Sequence, residues 1–310
     1  MDSNCATGFG YADRLKPKRK LGGQLGAEEY QESAESVASK ADDLAKLIQG
    51  SQEVFIFTGA GISTSMGIPD FRGPSGIWTA RKKKQPISAL RTPFEYYRPS
   101  FTHMAIAALV AAGKVKCVCS QNVDCLHLRS GIPRSLLAEL HGNCFAERCE
   151  ACKREYTCDF QVETVNFQPT GRVCVAPACG SRDAKEGCRP PSLLDNVLDW
   201  DSALPDDELD AAIDAAKRSE LTLVLGSSLQ ISPANGIPTL TPQTKRGKGK
   251  EKGKMVIVNL QKTPKDRRSG SPFVYCCPNL EPYLLHGRGS HFVRILESFR
   301  VERSFVVMPV

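Results

Sequence analysis

The chain has 310 residues, 41% hydrophobic and 24% charged, with a formal net charge of +7. That balance describes a soluble globular protein long enough to bury a sizeable core in two domains or one large one. No segment reaches the roughly 18 apolar residues of a membrane span; the longest run is MAIAALVAA, residues 104–112, and the opening MDSNCATGFGYADRLKPKRK has no apolar centre, so no secretory leader is expected.

In chain order, residues 1–30 read as an arm without periodicity. Apolar spacing at Val37, Ala41, Leu44, Ala45 and Ile48 predicts a helix over 34–48, stopped by Gly50. VFIF, 54–57, predicts a strand that runs into the glycine turn GAG. A second helix is expected over 101–112 and a second strand over 116–120, leading into QNVDCLH. SLLAEL, 135–140, reads as helical and ends in HGN. A third helix is expected over 205–218, with acidic residues in its first turns and Lys217 and Arg218 in its last, as the helix dipole favours. Strands follow at 221–225, before GSS, and at 255–259, before LQ. Strands alternating with helices imply an α/β fold, a Rossmann-like doubly wound parallel sheet covered on both faces.

The turn after the first strand suits a pyrophosphate, because glycines let the backbone approach and a helix start offers free N–H groups. The usual dinucleotide fingerprint is nevertheless incomplete. Thr64 stands at the third glycine position, and the zone that should hold an acidic ribose reader is TARKKK, 79–84. The basic run KRGKGKEKGK, 245–254, reads first as a solvated loop and second as a localisation signal or nucleic-acid contact; the net positive charge suits such a partner without identifying one.

Thirteen cysteines without an export signal argue for metal rather than disulfides. Seven of them fall between Cys144 and Cys188. Cys149 and Cys152 form a C-x2-C knuckle able to face one zinc ion, and a second pair must come from further along. Cys117, Cys119 and Cys276 fit better as free buried thiols.

GAGISTSMGIPDFRGPSGIWT (59–79), QNVDCLH (121–127), LHGN (140–143), GSSLQISPANGIP (226–238) and VIVNLQ (256–261) together resemble the sirtuins, NAD-consuming protein-lysine deacylases. GIPDFRGPSGIWT, LAELHGN, LDWDSALPD and GSSLQISP look most like their nuclear, chromatin-associated subclass. The resemblance covers roughly residues 45–265. It implies an arm and leading helix over 1–44, an NAD-binding domain over 45–143 and 190–265, a zinc-binding module over 144–189 and a C-terminal tail, 266–310, of unassigned structure.

By the same resemblance the NAD contacts fall on Gly59, Ala60, Gly61, Thr64, Asp70, Phe71, Arg72, Trp78, Gln121, Asn122, Asp124, Gly226, Ser227, Ser228, Asn259 and Gln261. The amides of Asn259 and Gln261 would stand in for the missing acidic reader, Ser227 and Ser228 would suit phosphate, and Phe71 and Trp78 would cover the nicotinamide pocket, although Trp78 could equally be core. His141 and Asn122 would be catalytic, with His141 taking a proton from the nicotinamide ribose. The implied reaction begins with attack of the acyl oxygen on the ribose carbon and loss of nicotinamide. It yields free lysine and O-acyl-ADP-ribose, with mono-ADP-ribosyl transfer as a side branch. Structural zinc would sit on Cys149, Cys152, Cys174 and Cys188, with Cys179 the competitor for the fourth place. Expected partners are acylated lysines of histones or other chromatin proteins, and DNA, in the nucleus or the cytoplasm, with no membrane. Two alternatives stand: an NAD(P) oxidoreductase, and an inactive zinc-containing chromatin reader. Cys125 departs from the family's glycine and would strain the backbone if its φ is positive.

Overall fold

A computed structural model describes residues 10–15, 23–87, 90, 92–177, 179, 190–199, 202–242 and 253–268. Its helices are α1 (Tyr11–Arg14), α2 (Ala34–Gly50), α3 (Ile77–Lys83), α4 (Phe101–Ala111), α5 (Leu126–Arg129) and α6 (Asp206–Arg218). Its strands are β1 (Val54–Thr58), β2 (Val115–Ser120), β3 (Leu137–Glu139), β4 (Ala146–Cys149), β5 (Glu155–Thr157), β6 (Pro169–Val173), β7 (Ser192–Asp195), β8 (Leu221–Leu225) and β9 (Lys254–Val258). The basic run, apart from Gly253 and Lys254, and the tail beyond Arg268 lie outside the described residues.

Five strands form a parallel sheet in the order β3-β2-β1-β8-β9. The alternation of side chains along β1 shows why both faces are covered. Val54 and Ile56 turn to one side, against Ala45 and Ile48 of α2 and Ile106 and Leu109 of α4. Phe55 and Phe57 turn to the other, against Ala212, Ala215 and Ala216 of α6. Small residues on α6 let it sit close to the phenyl rings, and full burial of each large side chain contributes about 1.5–3 kcal/mol. Cys117 and Cys119 are buried on the α6 side, as plain apolar filling.

Two readings of the sequence change here. Residues 135–140 do not make a helix: Arg134–Leu136 is a single 3-10 turn and Leu137–Glu139 is a strand paired in parallel with β2. Leu137, Ala138, Glu139 and Leu140 are all buried, and an apolar run that short carries no period by which to tell strand from helix. The cysteine-rich stretch, patternless in sequence, forms a second sheet, order β5-β4-β7-β6, antiparallel throughout. β7 belongs to it although it lies beyond the expected module boundary at residue 189.

A charged seam fastens the second sheet to the first. Arg134 reaches Glu155 of β5 with Nε (2.7 Å) and Nη2 (3.1 Å), and also pairs with Glu208 of α6. The carboxylate of Glu208 accepts the backbone N–H of Glu139, tying α6 to the edge strand that carries the chain towards His141.

Candidate active site

The ends of the parallel strands open into one crevice of about 960 Å³. Its floor is two turns in direct contact. Gly61 donates its N–H to the carbonyl of Gly226 (2.9 Å), so the turn after β1 leans on the turn after β8. A Cβ on Gly61 would lie 2.8 Å from Gly226 Cα, and Gly226 itself has φ +63° with space for a Cβ only 2.6 Å from Ile62 N. Neither position accepts a side chain, and this backbone cradle suits a pyrophosphate.

Gln121, at the end of β2, donates Nε2 to Ser227 Oγ (2.7 Å), crossing in front of the GAG turn. Asn122 donates Nδ2 to the carbonyl of Gly59 (3.2 Å). His141, just past β3, points Nδ1 at the carbonyl of Gln121 (3.0 Å). A carbonyl only accepts, so the proton sits on Nδ1 and Nε2 carries the lone pair. Burial, reinforced by the charge of Arg72, lowers the imidazole below its ordinary 6.5 while the bond to Gln121 opposes the shift. His141 is therefore a neutral base at neutral pH.

Arg72 is 7% exposed and stacks its guanidinium 4.3 Å above the ring of Trp78. Burial lowers its pKa to about 10, and it remains a cation at neutral pH. Asp70, raised to about 6 by burial, accepts the N–H of Gly73 (2.9 Å) and closes the loop that carries Phe71 and Arg72. Phe71 packs 4.7 Å from Trp78, and both face the crevice. Trp78 is also 4% exposed among Ile77, Tyr11 and Phe145, so it is wall and core at once.

The crevice gathers Gly59, Ala60, Gly61, Thr64, Asp70, Phe71, Arg72, Trp78, Gln121, Asn122, His141, Gly226, Ser227, Ser228, Asn259 and Gln261. Asp124 is not on its wall. It is buried behind the turn, accepting from Ser63 Oγ (2.7 Å) and from the N–H of Leu126 (3.0 Å). Asn259 donates its amide to the carbonyl of Gln261 (2.8 Å), and Gln261 donates to Ala27 (2.9 Å). Each of these bonds uses one of the two N–H donors of its carboxamide, so a second N–H and the oxygen of each remain for a ligand. Cys125 does adopt φ +63°, the left-handed conformation its family glycine would take without strain.

Sequence reasoning missed Glu29. The arm runs from Gly26, whose N–H meets the carbonyl of Arg72 (2.8 Å), to Tyr30, whose N–H meets Leu260 (2.9 Å), and this brings Glu29 to the crevice wall. An extended, aperiodic segment carries no local signal for such a position.

In the smaller sheet, the sulfurs of Cys149, Cys152, Cys174 and Cys179 lie within 4.8 Å of one another. Cys149 and Cys179 are 3.4 Å apart, and Cys152 and Cys174 3.8 Å. A tetrahedral zinc at about 2.3 Å from four thiolates spaces them at close to these distances. Tyr156 Oη lies 3.1 Å from Cys174 Sγ, a contact that lowers the thiol's pKa below its ordinary value. Cys188 lies outside the described residues.

A family profile, the Sir2 family, matches residues 59–96 and 87–233. The chain is 48% identical over 261 residues to the NAD-dependent protein deacetylase SRT1 of Arabidopsis thaliana, covering 84% of this chain and 51% of that one. It is 44% identical over 260 residues to the NAD-dependent protein deacetylase Sirt6 of Drosophila melanogaster, covering 84% and 78%. The chain spans about half the length of the plant relatives it matches. Among solved structures it resembles Sir2 with a p53 peptide and NAD+, at TM-score 0.55 and 29% identity over 84% of this chain and 98% of that one. It also resembles Sir2 bound to acetylated peptide, at 0.54 and 28%, with the same coverage.

The contact between the two turns makes a direct prediction. Gly61→Ala should force β1 and β8 apart at their ends and abolish the thermal stabilisation given by NAD, while the protein still folds. An unchanged NAD-dependent shift in Tm would remove the turns from the site.

Proposed function

The chain belongs to the Sir2 family, and from that premise we propose that it is an NAD-dependent protein-lysine deacylase of chromatin proteins, histones foremost. One observation carries the reading: the side-chain-free cradle and a neutral imidazole with its Nε2 lone pair available line a single crevice. The deacetylase names of the relatives and the peptide and NAD+ complexes of the solved structures support it. The nuclear-type motifs and the net charge of +7 support chromatin as the setting, and nuclear residence is proposed with it.

NAD, when bound, supplies a ribose carbon from which nicotinamide can depart. The chain's own residues do the rest. The N–H groups of Gly59, Gly61, Ile62 and Gly226 are used within the fold, so those of Ala60, Ser227 and Ser228, with Arg72, would hold the pyrophosphate. Gln121 and Asn122, braced on Ser227 and Gly59, would fix the ribose end. His141 would accept a ribose hydroxyl proton at Nε2, its ring oriented by the Gln121 carbonyl. Phe71 and Trp78 would keep water from the reacting carbon. We assign structural zinc to Cys149, Cys152, Cys174 and Cys179, which would close the ion with sulfur and leave no place for water.

The reading is tested by incubating the protein with acylated histone-tail peptides and following peptide mass. Loss of the acyl group should require NAD, and removal without NAD would overturn the proposal. His141→Tyr should lower turnover by about 10²–10⁴-fold with NAD binding retained, since it deletes one proton-transfer group. Because the folded pKa is lowered, the neutral base persists at neutral pH, and the acid limb of kcat/KM, which reports the free enzyme, should lie below 6.5. For the metal, Cys179→Ser should lose stoichiometric zinc on elemental analysis and destabilise the module, whereas Cys188→Ser should keep it. The reverse pattern would give Cys188 the fourth place.

A further inference from the structure

Against the ends of the GAG turn, and outside the lining of the crevice, lie two histidines that the proposed chemistry does not use. His103 in α4 and His127 in α5 are 0% and 2% exposed, with ring centroids 4.8 Å apart. His103 closes a capping box at the start of α4: its Nδ1 accepts the N–H of Ser100 (3.2 Å), and its own N–H is donated to Ser100 Oγ (3.4 Å). Ser100 Oγ then donates to the carbonyl of Ile62 (2.8 Å). His127 Nε2 lies 2.9 Å from Oγ1 of Thr58, the last residue of β1. The remaining ring nitrogens, His103 Nε2 and His127 Nδ1, are buried without a hydrogen-bond partner among the described residues.

The places these side chains reach are what make them informative. Thr58 and Ile62 bracket the three residues that form the crevice floor, and Ser63, the next residue, is held by Asp124. The same turn bears on Gly226. A loop that binds through its backbone N–H groups gains affinity by being rigid before the ligand arrives. Burial lowers both imidazoles to about 3, so both are neutral wherever the protein is folded near neutral pH. Two polar rings with two unpartnered nitrogens are an expensive way to fill a core that leucine could fill.

We infer that His127 and His103 are positioning residues for NAD, acting through Thr58 and Ser100 to hold the 59–62 turn at its ends in the geometry that receives the pyrophosphate. The inference rests on the crevice being the NAD site proposed above.

The decisive variants separate hydrogen bonding from packing. Thr58→Val keeps the shape and removes the hydroxyl. His127→Gln places an amide at the reach of Nε2, and His127→Asn does not. Thr58→Val and His127→Asn should each raise the KM for NAD about tenfold, the effect of losing one buried hydrogen bond, while kcat and the KM for peptide stay within about twofold. The double variant should be no weaker than the weaker single, because both remove the same bond. His127→Gln should stay within about threefold of the parent. Equal effects of Gln and Asn, additive singles, or a fall in kcat with KM for NAD unchanged would each overturn the assignment. Should the His127 variants fail to fold, Thr58→Val decides alone, and an unchanged KM for NAD in it overturns the assignment. If the parent itself binds no NAD by titration calorimetry, the crevice reading falls and this inference with it; if the parent binds and Thr58→Val binds equally well, only this inference falls.

Discussion

The crevice exists because two backbone turns touch with no side chain between them. Gly61 and Gly226 bring the ends of β1 and β8 within hydrogen-bond distance, and every other element of the site is measured from that contact. Gln121 crosses it to reach Ser227, Asn122 caps the carbonyl of Gly59, and His141 hangs from the carbonyl of Gln121. The imidazole of His141 is thus placed by a chain of hydrogen bonds that begins at the central strand pair. A side chain at either glycine would move the floor, and the imidazole would move with it.

The same turn that carries His141 joins the two sheets. The carbonyl of His141 accepts the N–H of Leu198 (3.1 Å), and Gly142, at φ +83°, lies so close to Asn196 that a Cβ there would come within 1.8 Å of its carbonyl oxygen. Asn143 donates to the buried carboxyl of Glu139 (2.9 Å) and accepts from the N–H of Phe145 (2.9 Å). Burial raises Glu139 to about 8, opposed by the charge of Arg134 and the hydrogen bond from Asn143. With the Arg134 seam on the far side, the zinc-ligand sheet is fastened near the active-site turn. This gives a physical reason why a metal remote from the chemistry would matter to it.

Much of this is legible in the sequence where the signal is local. The apolar run VFIF bounded by glycines, and the amides of QNV, announce a strand, a turn and a polar strand end, and the structure arranges them so. SLLAEL misleads because a buried edge strand and a short helix share one apolar pattern. The cysteine stretch hides its sheet because metal-centred packing needs little apolar alternation. Asp124 and Gln261 keep their polarity but turn it inward, to Ser63 and to Ala27, which only the tertiary arrangement decides. Glu29 reaches the crevice from the arm through backbone bonds to Arg72 and Leu260, contacts between residues far apart in sequence that no periodicity records.

On the proposed function, the crevice consumes NAD rather than shuttling hydride through it. The most direct measurement counts nicotinamide and deacylated peptide in the same reaction, by chromatography of quenched samples over time. One free nicotinamide is expected for each lysine unmasked, with no absorbance of reduced cofactor. Reduced nicotinamide cofactor accumulating in place of free nicotinamide, or lysine unmasked without nicotinamide release, would contradict it.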